Sequence, residues 1–288
     1  MSVAVLTDSC ASIPRPLVEE LQIEVVPYYI HIGERTLRDL VDVHPDGFFQ
    51  WLPTADELPK TANPGPGDYL AAFKSLRERT NQVVTIHMTS WGSGAYQAAL
   101  VAKEMAEKEI PGLEIRVVDT KQVAMAHGWA VIEAARAAQE GASIEEVVRV
   151  AEEVSAKGMM IQTADTLRYL YMGGRIGRAK HLLGSVLSIK PLIGMEDGVI
   201  VALGQARSRQ NAYQKMIKLM EKKAGKGAAI KAAITHVAAP EEASKLQAMV
   251  EEAFDCREML IAELSPALGV HTGPGTVGVC FYPLSIES

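Results

Sequence analysis

The sequence predicts an α/β fold in two domains, an N-terminal one with a parallel sheet and a C-terminal one with a mixed sheet packed on helices. The chain has 288 residues, which suits one large or two ordinary α/β domains. In the first half, short apolar runs rich in valine and isoleucine alternate with longer amphipathic stretches, as βα units do. In the second half, Asp197-Gly198 between two apolar runs predicts a β-hairpin.

The N-terminal domain is predicted to span residues 1–158. Its strands are expected at 3–6, 23–32, 83–87 and 115–118. Its first helices are expected to start near Pro14, Pro45, Pro66, Ser93 and Lys121. A further helix, 143–157, carries a capping box of Ser143 with Glu146 and ends at Gly158. That glycine is the predicted domain boundary.

The C-terminal domain is predicted to span residues 159–288. Strands are expected at 159–164, 189–193, 199–203, 228–237, 257–264 and 276–282. Helices are expected at 165–172, near 178–188, at about 208–224 and at 240–254. Together they predict a mixed sheet with helices.

Composition argues against several classes of partner and site. The net charge is −6 and no basic run is long enough to bind phosphate backbones, so nucleic acid is not an expected partner. The N-terminus lacks the features of a secretory signal and no window has 18 uninterrupted apolar residues, which predicts a cytoplasmic protein. Three widely spaced cysteines predict no disulfide, and the seven histidines show no zinc-ligand spacing, so no metal is expected.

Small polar residues follow three of the predicted parallel strands. They are Thr7, Asp8 and Ser9, then Thr89 and Ser90, then Asp119 and Thr120. The carboxyl ends of parallel strands meet at one edge, and ligands bind in the crevice beyond it. We therefore expect these residues to converge.

Ser93, between Gly92 and Gly94, stands at a predicted helix start. It is either an ordinary N-cap or part of an anion site, where free backbone N–H groups bind a ligand that Gly94 lets approach closely. A serine on a strand-to-helix turn can also be a hydrolase nucleophile. That motif requires glycine two residues before and after the serine, whereas this chain has Trp91 and Ala95.

Three further segments hold candidate binding residues. Thr61 opens the loop 61–67, whose prolines and glycines predict a rigid conformation. Arg175 lies in the glycine-rich segment 171–177, which matches no phosphate-loop pattern, and Arg207 lies before a predicted helix. His271 is in a glycine- and proline-rich turn, where it is either structural or a donor to a carboxylate.

The order and spacing of these segments resemble the DegV family over nearly the whole chain. The matching pieces are Thr7-Asp8-Ser9, Thr61 with Pro64-Gly-Pro66, Ser93-Gly-Ala-Tyr-Gln97, Asp119-Thr120, Asp165-Thr-Leu with Gly173-Gly-Arg-Ile-Gly177, residues 184–191, Arg207 and His271-Thr-Gly-Pro-Gly275. The resemblance implies a three-layer N-terminal domain and a long-chain fatty acid, such as palmitate, stearate or oleate, in a tunnel near the domain interface. It also implies a partner, a separate ATP-dependent fatty acid kinase that forms acyl-phosphate for phospholipid synthesis, and only transient membrane contact.

Carried over to this chain, the resemblance implies that Thr61 and Ser93 hydrogen-bond the carboxylate and that His271 lies beside it. Arg175 and Arg207 would lie near the mouth of the tunnel. The chain would be a substrate-binding subunit without a catalytic residue or cofactor of its own. The alternatives are an acyl hydrolase or small-molecule kinase that uses Ser93 and His271, and a regulatory protein that senses acyl chains.

The chain departs from the family pattern beside the proposed head-group site. Family members commonly have Thr-Ser-Gln-Pro-Ser-Pro where this chain has Thr61 followed by Ala62, Asn63, Pro64 and Gly65. They commonly have Ser-Gly-Thr where this chain has Ala95 in the third place. Both changes remove hydroxyl groups. Apolar residues for a tunnel are available at Met159, Met160, Ile161, Leu167, Leu170, Leu182, Leu183, Leu187, Ile189 and Ile193.

Overall fold

The computed structural model describes residues 3–183 and 189–284. The strands are β1 Ala4–Asp8, β2 Glu24–Val26, β3 Tyr29–Ile32, β4 Arg35–Arg38, β5 Lys60–Ala62, β6 Gln82–His87, β7 Glu114–Asp119, β8 Met159–Thr163, β9 Lys190–Glu196, β10 Val199–Ala206, β11 Ala229–His236, β12 Asp255–Glu263 and β13 Val277–Pro283. The α-helices are α1 Arg15–Glu20, α2 Pro45–Trp51, α3 Pro66–Arg77, α4 Ala95–Glu109, α5 Ala124–Gln139, α6 Ile144–Lys157, α7 Arg168–Met172, α8 Arg209–Ala224, α9 Pro240–Ala253 and α10 Pro266–Thr272. No helix in the described ranges is both long and apolar enough to traverse a bilayer.

The first half of the chain forms the predicted parallel sheet. Its strand order is β2-β1-β6-β7, and every neighbouring pair is parallel. Helices α3 and α4 pack on each other and on this sheet, as do α5 and α6. The capping box is present, because Ser143 Oγ accepts from the Glu146 N–H and Glu146 accepts from the Ser143 N–H. The α/β prediction for this half is confirmed.

A small antiparallel sheet of order β4-β3-β5 was not predicted. The expected single strand 23–32 is two strands, β2 and β3, separated by Pro27 and Tyr28. Proline has no backbone N–H for a ladder, so a strand breaks there and the chain is free to enter a second sheet. Thr61, expected in a loop, lies in β5 opposite Ile30 of β3.

The second half forms the predicted mixed sheet. Its strand order is β10-β9-β8-β13-β11-β12, with β11 and β12 parallel and the other pairs antiparallel. The β9–β10 hairpin turns at Asp197 and Gly198, whose φ angles are 49° and 80°. Positive φ at both turn residues fits the Asp-Gly signal in the sequence.

The two sheets share helix α5. It packs on β1 of the parallel sheet and on β8 and β13 of the mixed sheet. Its Trp129 is 1% exposed, and the indole Nε1 donates to the Cys280 carbonyl on β13 over 3.1 Å. Every strand of the parallel sheet precedes Gly158 and every strand of the mixed sheet follows it. We propose a division into residues 1–158 and 159–288 on that basis.

Two helix predictions in the second half are corrected by the structure. The helix expected at 165–172 is confined to α7, and the helix expected near 178–188 is a 3₁₀ segment, Gly177–Leu182, with residues 184–188 outside the described ranges. Gly174 and Gly177, with φ of 71° and 55°, separate the two pieces because L-residues rarely adopt that conformation.

Helix α10 is a third correction, because the sequence predicted only a turn around His271. The helix starts with Pro266 at its first position and with Ser265 Oγ accepting from the Leu268 N–H. It ends before Gly273, whose φ is 80°. His271 is therefore in the last turn of a short helix.

Candidate ligand-binding site

A cavity of about 710 Å³ lies between the carboxyl end of the parallel sheet and the inner face of the mixed sheet. This volume falls within the range of small-molecule sites, roughly 300–1,000 Å³. Its apolar wall includes Met88, Met160, Leu170, Ile193, Met195 and Leu268. Its polar wall includes Tyr28, Thr61, Asn63, Ser93, Arg175 and His271. The cavity can therefore hold a long apolar molecule with a polar end.

Thr61 and His271 meet at the polar wall although 210 positions separate them. Thr61 Oγ1 and His271 Nε2 are 2.7 Å apart. Burial, together with the nearby Arg175 guanidinium, lowers the pKa of His271 to about 4. The imidazole is therefore neutral at pH 7, and the positive charge here comes from Arg175.

Buried polar contacts anchor α10, which carries His271, to the first half of the chain. The buried carboxylate of Asp39 accepts from the Ala267 N–H over 3.1 Å and from the Ser9 hydroxyl over 2.6 Å. Ser12 Oγ accepts from the Ser265 N–H over 3.1 Å. Burial raises the pKa of Asp39 to about 6. These contacts fix the helix, and with it the imidazole, against β5.

Gly173 makes room for the imidazole on its other side. A Cβ atom at this position would lie 2.2 Å from His271 Nδ1. Nδ1 is buried and has no hydrogen-bond partner among the described residues. A buried N–H without a partner is rarer in proteins than a buried acceptor without one. We therefore assign the imidazole proton to Nε2, which donates to Thr61 Oγ1.

Ser93 is held by Tyr28, a residue that the sequence analysis did not identify. The Tyr28 hydroxyl and Ser93 Oγ are 2.5 Å apart, and Ser93 Oγ also accepts from the Ala95 N–H over 3.2 Å. Burial, with Asp8 nearby, raises the pKa of Tyr28 well above its usual range, so the phenol keeps its proton. The only signal for Tyr28 in the sequence is that it is an aromatic residue within a run of apolar residues.

Both hydroxyls are arranged to donate to a ligand. The oxygen of Ser93 can receive the Tyr28 and Ala95 protons, and the oxygen of Thr61 can receive the His271 proton. Each hydroxyl then has its own proton left for a third group. Two O–H donors on one wall suit an anionic acceptor such as a carboxylate.

The remaining predicted residues are placed as follows. Gly94 adjoins the Thr61 segment, because its Cβ position would lie 3.0 Å from Asn63 Oδ1. Arg175 lines the cavity, and its Nη1 donates to the Gly173 carbonyl over 2.7 Å. Arg207 is exposed and, within the described part of the chain, is not in the wall of this cavity. The structure thus brings the predicted residues together except for Arg207.

The departures from the family pattern lie in or beside the same wall. Ala62 and Asn63 line the cavity, and Ala95 is fully buried at the start of α4. Gly65 precedes α3, where its N–H donates to the Asp68 carboxylate over 2.7 Å.

Among the apolar residues expected to line a tunnel, Met160, Leu170 and Ile193 do so, whereas Leu187 lies outside the described residues.

The polar residues at or just after the carboxyl ends of β1, β6 and β7 lie at one edge of the parallel sheet, as predicted. Asp119 and Ser90 bond to each other, and the others bond to further groups of the chain. Asp8 accepts from the Cys10 N–H over 3.1 Å, Thr120 Oγ1 donates to the His87 carbonyl over 2.8 Å, and Asp119 accepts from the Ser90 N–H over 3.3 Å. They hold the loops that shape the cavity.

His271 gives the stability of the protein a pH dependence. Its pKa is about 4 in the folded chain, against 6.5 ordinarily, so the unfolded chain takes up the proton first as pH falls. The contribution of His271 to the free energy of unfolding is therefore present in full above pH 6.5 and is lost as pH falls towards 4. The difference corresponds to about 3 kcal/mol of unfolding free energy.

We expect the free energy of unfolding of wild type, relative to that of His271→Gln, to fall by about 2 kcal/mol from pH 7 to pH 4.5. Glutamine keeps an N–H near Thr61 but does not titrate. Asp39 works in the opposite direction, because its raised pKa favours the folded state as pH falls, and it does so equally in both proteins. Urea unfolding at the two pH values measures the difference between the two proteins, and an unchanged difference would contradict the buried neutral imidazole.

The sequence model that describes the DegV family of uncharacterised proteins matches residues 2–284 of this chain. The chain belongs to the DegV family. A DegV domain-containing protein of Streptomyces coelicolor is 33% identical over 279 residues, which cover 96% of this chain and 97% of that protein. The Bacillus subtilis protein DegV is 29% identical over 282 residues, 98% of this chain and 99% of that one.

Solved DegV structures share the whole fold. A DegV family protein from Thermus thermophilus, described by its fatty acid binding, superposes with a TM-score of 0.90 at 29% identity, covering 99% of this chain and 100% of that one. Bacillus subtilis DegV, described as a fatty acid binding protein, gives 0.86 at 28% identity, covering 98% and 99%. The predicted fold class and family are thereby confirmed.

Proposed function

We propose that this chain binds one long-chain fatty acid, with the tail in the 710 Å³ cavity and the carboxylate against Thr61 and Ser93. The observation that carries the proposal is the pairing of each hydroxyl with a protein donor, His271 for Thr61 and Tyr28 for Ser93. Fatty acid binding by the Thermus and Bacillus relatives supports it.

The energetics favour such a ligand. A buried carboxylate is costly unless several donors reach it at once, and here two hydroxyls are available with the Arg175 guanidinium nearby. A tail of about fourteen methylenes has a gross transfer free energy of about 11 kcal/mol. Ordering the tail offsets much of this. The tail supplies most of the affinity and the hydroxyls supply selectivity for the anion.

We further propose that the bound fatty acid is the substrate of a separate ATP-dependent kinase. In that reaction a carboxylate oxygen attacks the γ-phosphorus of ATP, a new P–O bond forms, and ADP leaves, giving an acyl-phosphate for phospholipid synthesis. The chain presents the carboxylate, and the partner supplies nucleotide binding and catalysis. The family resemblance and the ordered head-group wall support this division of labour.

The hydrolase alternative lacks a general base for Ser93 in the described structure. Ser93 Oγ bonds to Tyr28 and the Ala95 N–H, while His271 Nε2 bonds to Thr61. A serine nucleophile needs a base within hydrogen-bond reach. Ester turnover abolished by Ser93→Ala, or ATP consumption by the chain alone, would favour an enzyme instead.

A direct test is organic extraction of the denatured, purified protein followed by mass spectrometry. We expect close to one fatty acid of about 16 to 18 carbons per chain, or stoichiometric uptake of added palmitate or oleate, because the tail contributes about 0.8 kcal/mol per methylene. A protein that contains no fatty acid and takes up none would overturn the proposal. Pull-down from lysate with the loaded protein then separates a kinase partner from a regulatory one.

A further inference from the structure

A second cavity, of about 600 Å³, adjoins the first at the head-group wall. Thr61, Arg175 and His271 line both cavities. The two therefore meet where the carboxylate is proposed to bind, one on the side of the tail and the other beyond the head group. Its remaining lining comes mainly from residues 52–60 and from helix α7.

The second cavity is lined by three basic side chains, Lys60, Arg168 and Arg175. None of them lies within 4 Å of a carboxylate among the described residues, although many other cations of this chain form such pairs. Arg175 is oriented by its bond to the Gly173 carbonyl, and Arg168 Nε lies 3.3 Å from Met172 Sδ. These cations are available to an anion.

Two carboxylates, Asp56 and Glu57, also line this cavity. They come from the loop before β5, whereas Lys60 directly precedes Thr61 and Arg175 belongs to the shared wall. His271 adds no charge, because burial and Arg175 lower its pKa to about 4. Positive charge therefore exceeds negative charge at the boundary between the cavities.

We propose that the second cavity is a binding site for a phosphate group with three or more terminal oxygens, positioned next to the carboxylate of the bound acyl chain. The inference rests on the proposed fatty acid site. A phosphate group has three or more terminal oxygens and can bond to three separate arginine and lysine donors at once, whereas a carboxylate has two oxygens. The group is either the phosphoryl end of an acyl-phosphate that stays in place or a free phosphate beside a fatty acid.

Hexadecyl phosphate and palmitate, which have the same tail length, test the proposal by displacement of a fluorescent fatty acid. We expect Lys60→Met and Arg168→Met each to weaken hexadecyl phosphate binding by about tenfold, the loss of one charge-assisted hydrogen bond. Palmitate affinity should change by less than about twofold. Arg178→Met is the matched control, because Arg178 is exposed in the same segment but is not in the wall of either cavity.

A second arm titrates inorganic phosphate into palmitate-loaded protein and follows it by phosphorus NMR. Phosphate binding that the same two variants weaken would support the site with free phosphate as the source. If neither phosphate probe is sensitive to the variants while palmitate still binds, the second site is refuted and the proposed function stands. If palmitate itself does not bind, the proposed function fails and this inference fails with it.

Discussion

Replacing Thr61 with valine and Ser93 with alanine together should weaken palmitate binding by roughly a hundredfold to ten-thousandfold. Each hydroxyl retains one proton for the ligand because a protein donor, His271 or Tyr28, occupies its oxygen. A hydrogen bond to a charged group contributes about 1.5–3 kcal/mol, and 1.4 kcal/mol corresponds to a tenfold change in affinity. Valine keeps the shape of threonine, so the tail cavity remains the same.

Two controls make this result specific to the head group. Thr272→Val changes another threonine of the same cavity wall, one whose hydroxyl donates to the Leu268 carbonyl over 3.3 Å, and should cost less than about threefold. Methyl palmitate, which has the tail without the charge, should bind wild type and double variant almost equally. A double variant that binds palmitate as wild type does would refute the assignment of Thr61 and Ser93.

Much of the architecture was predictable because the signals are local. The capping box of Ser143 with Glu146 and the Asp197-Gly198 turn each use residues that are neighbours in the chain. The alternation of apolar runs is also a local signal, and it predicted both sheets. Helix α10 was missed, although Ser265 and Pro266 signal a helix start, because seven residues show too little periodicity.

The candidate site was less predictable because its bonds join distant segments. The Tyr28–Ser93 contact spans 65 positions and the Thr61–His271 contact spans 210. No local pattern encodes such pairs, so Tyr28 was missed, and the local sequence left His271 as either structural or a carboxylate donor until the family resemblance placed it at the site. Arg207 was placed near the mouth by that resemblance, yet its side chain is exposed away from the described cavity wall.

The anchoring of His271 shows why the site depends on the whole fold. Asp39 and Ser12 of the first half hold the start of α10, and Gly173 of the second half packs on the imidazole at its end. A head-group wall built from both halves is stable only if the halves stay together. Helix α5 is the element that joins them.

Trp129→Ala should therefore lower the free energy of unfolding of the whole chain by about 3–5 kcal/mol. The side chain is 1% exposed, its ring makes an edge contact with Tyr282 at 5.9 Å between centroids, and its Nε1 donates to the Cys280 carbonyl. Because Met160, Ala233 and Cys280 of the second half share one apolar core with the first half, we expect a single unfolding transition that shifts as a unit.

Urea unfolding followed by circular dichroism and by the fluorescence of the remaining tryptophans measures this effect. Trp129→Phe keeps an aromatic ring but loses the indole N–H and part of the ring volume. It should cost about 1–3 kcal/mol and is the variant to use if the alanine variant does not fold. Trp91→Ala is the matched control, since Trp91 is 76% exposed and its loss should change the stability by less than about 0.5 kcal/mol. Two separate transitions, only one of them shifted by the variants, would mean that the halves fold independently. The wall that joins Thr61 to His271 would then be able to open without unfolding either half.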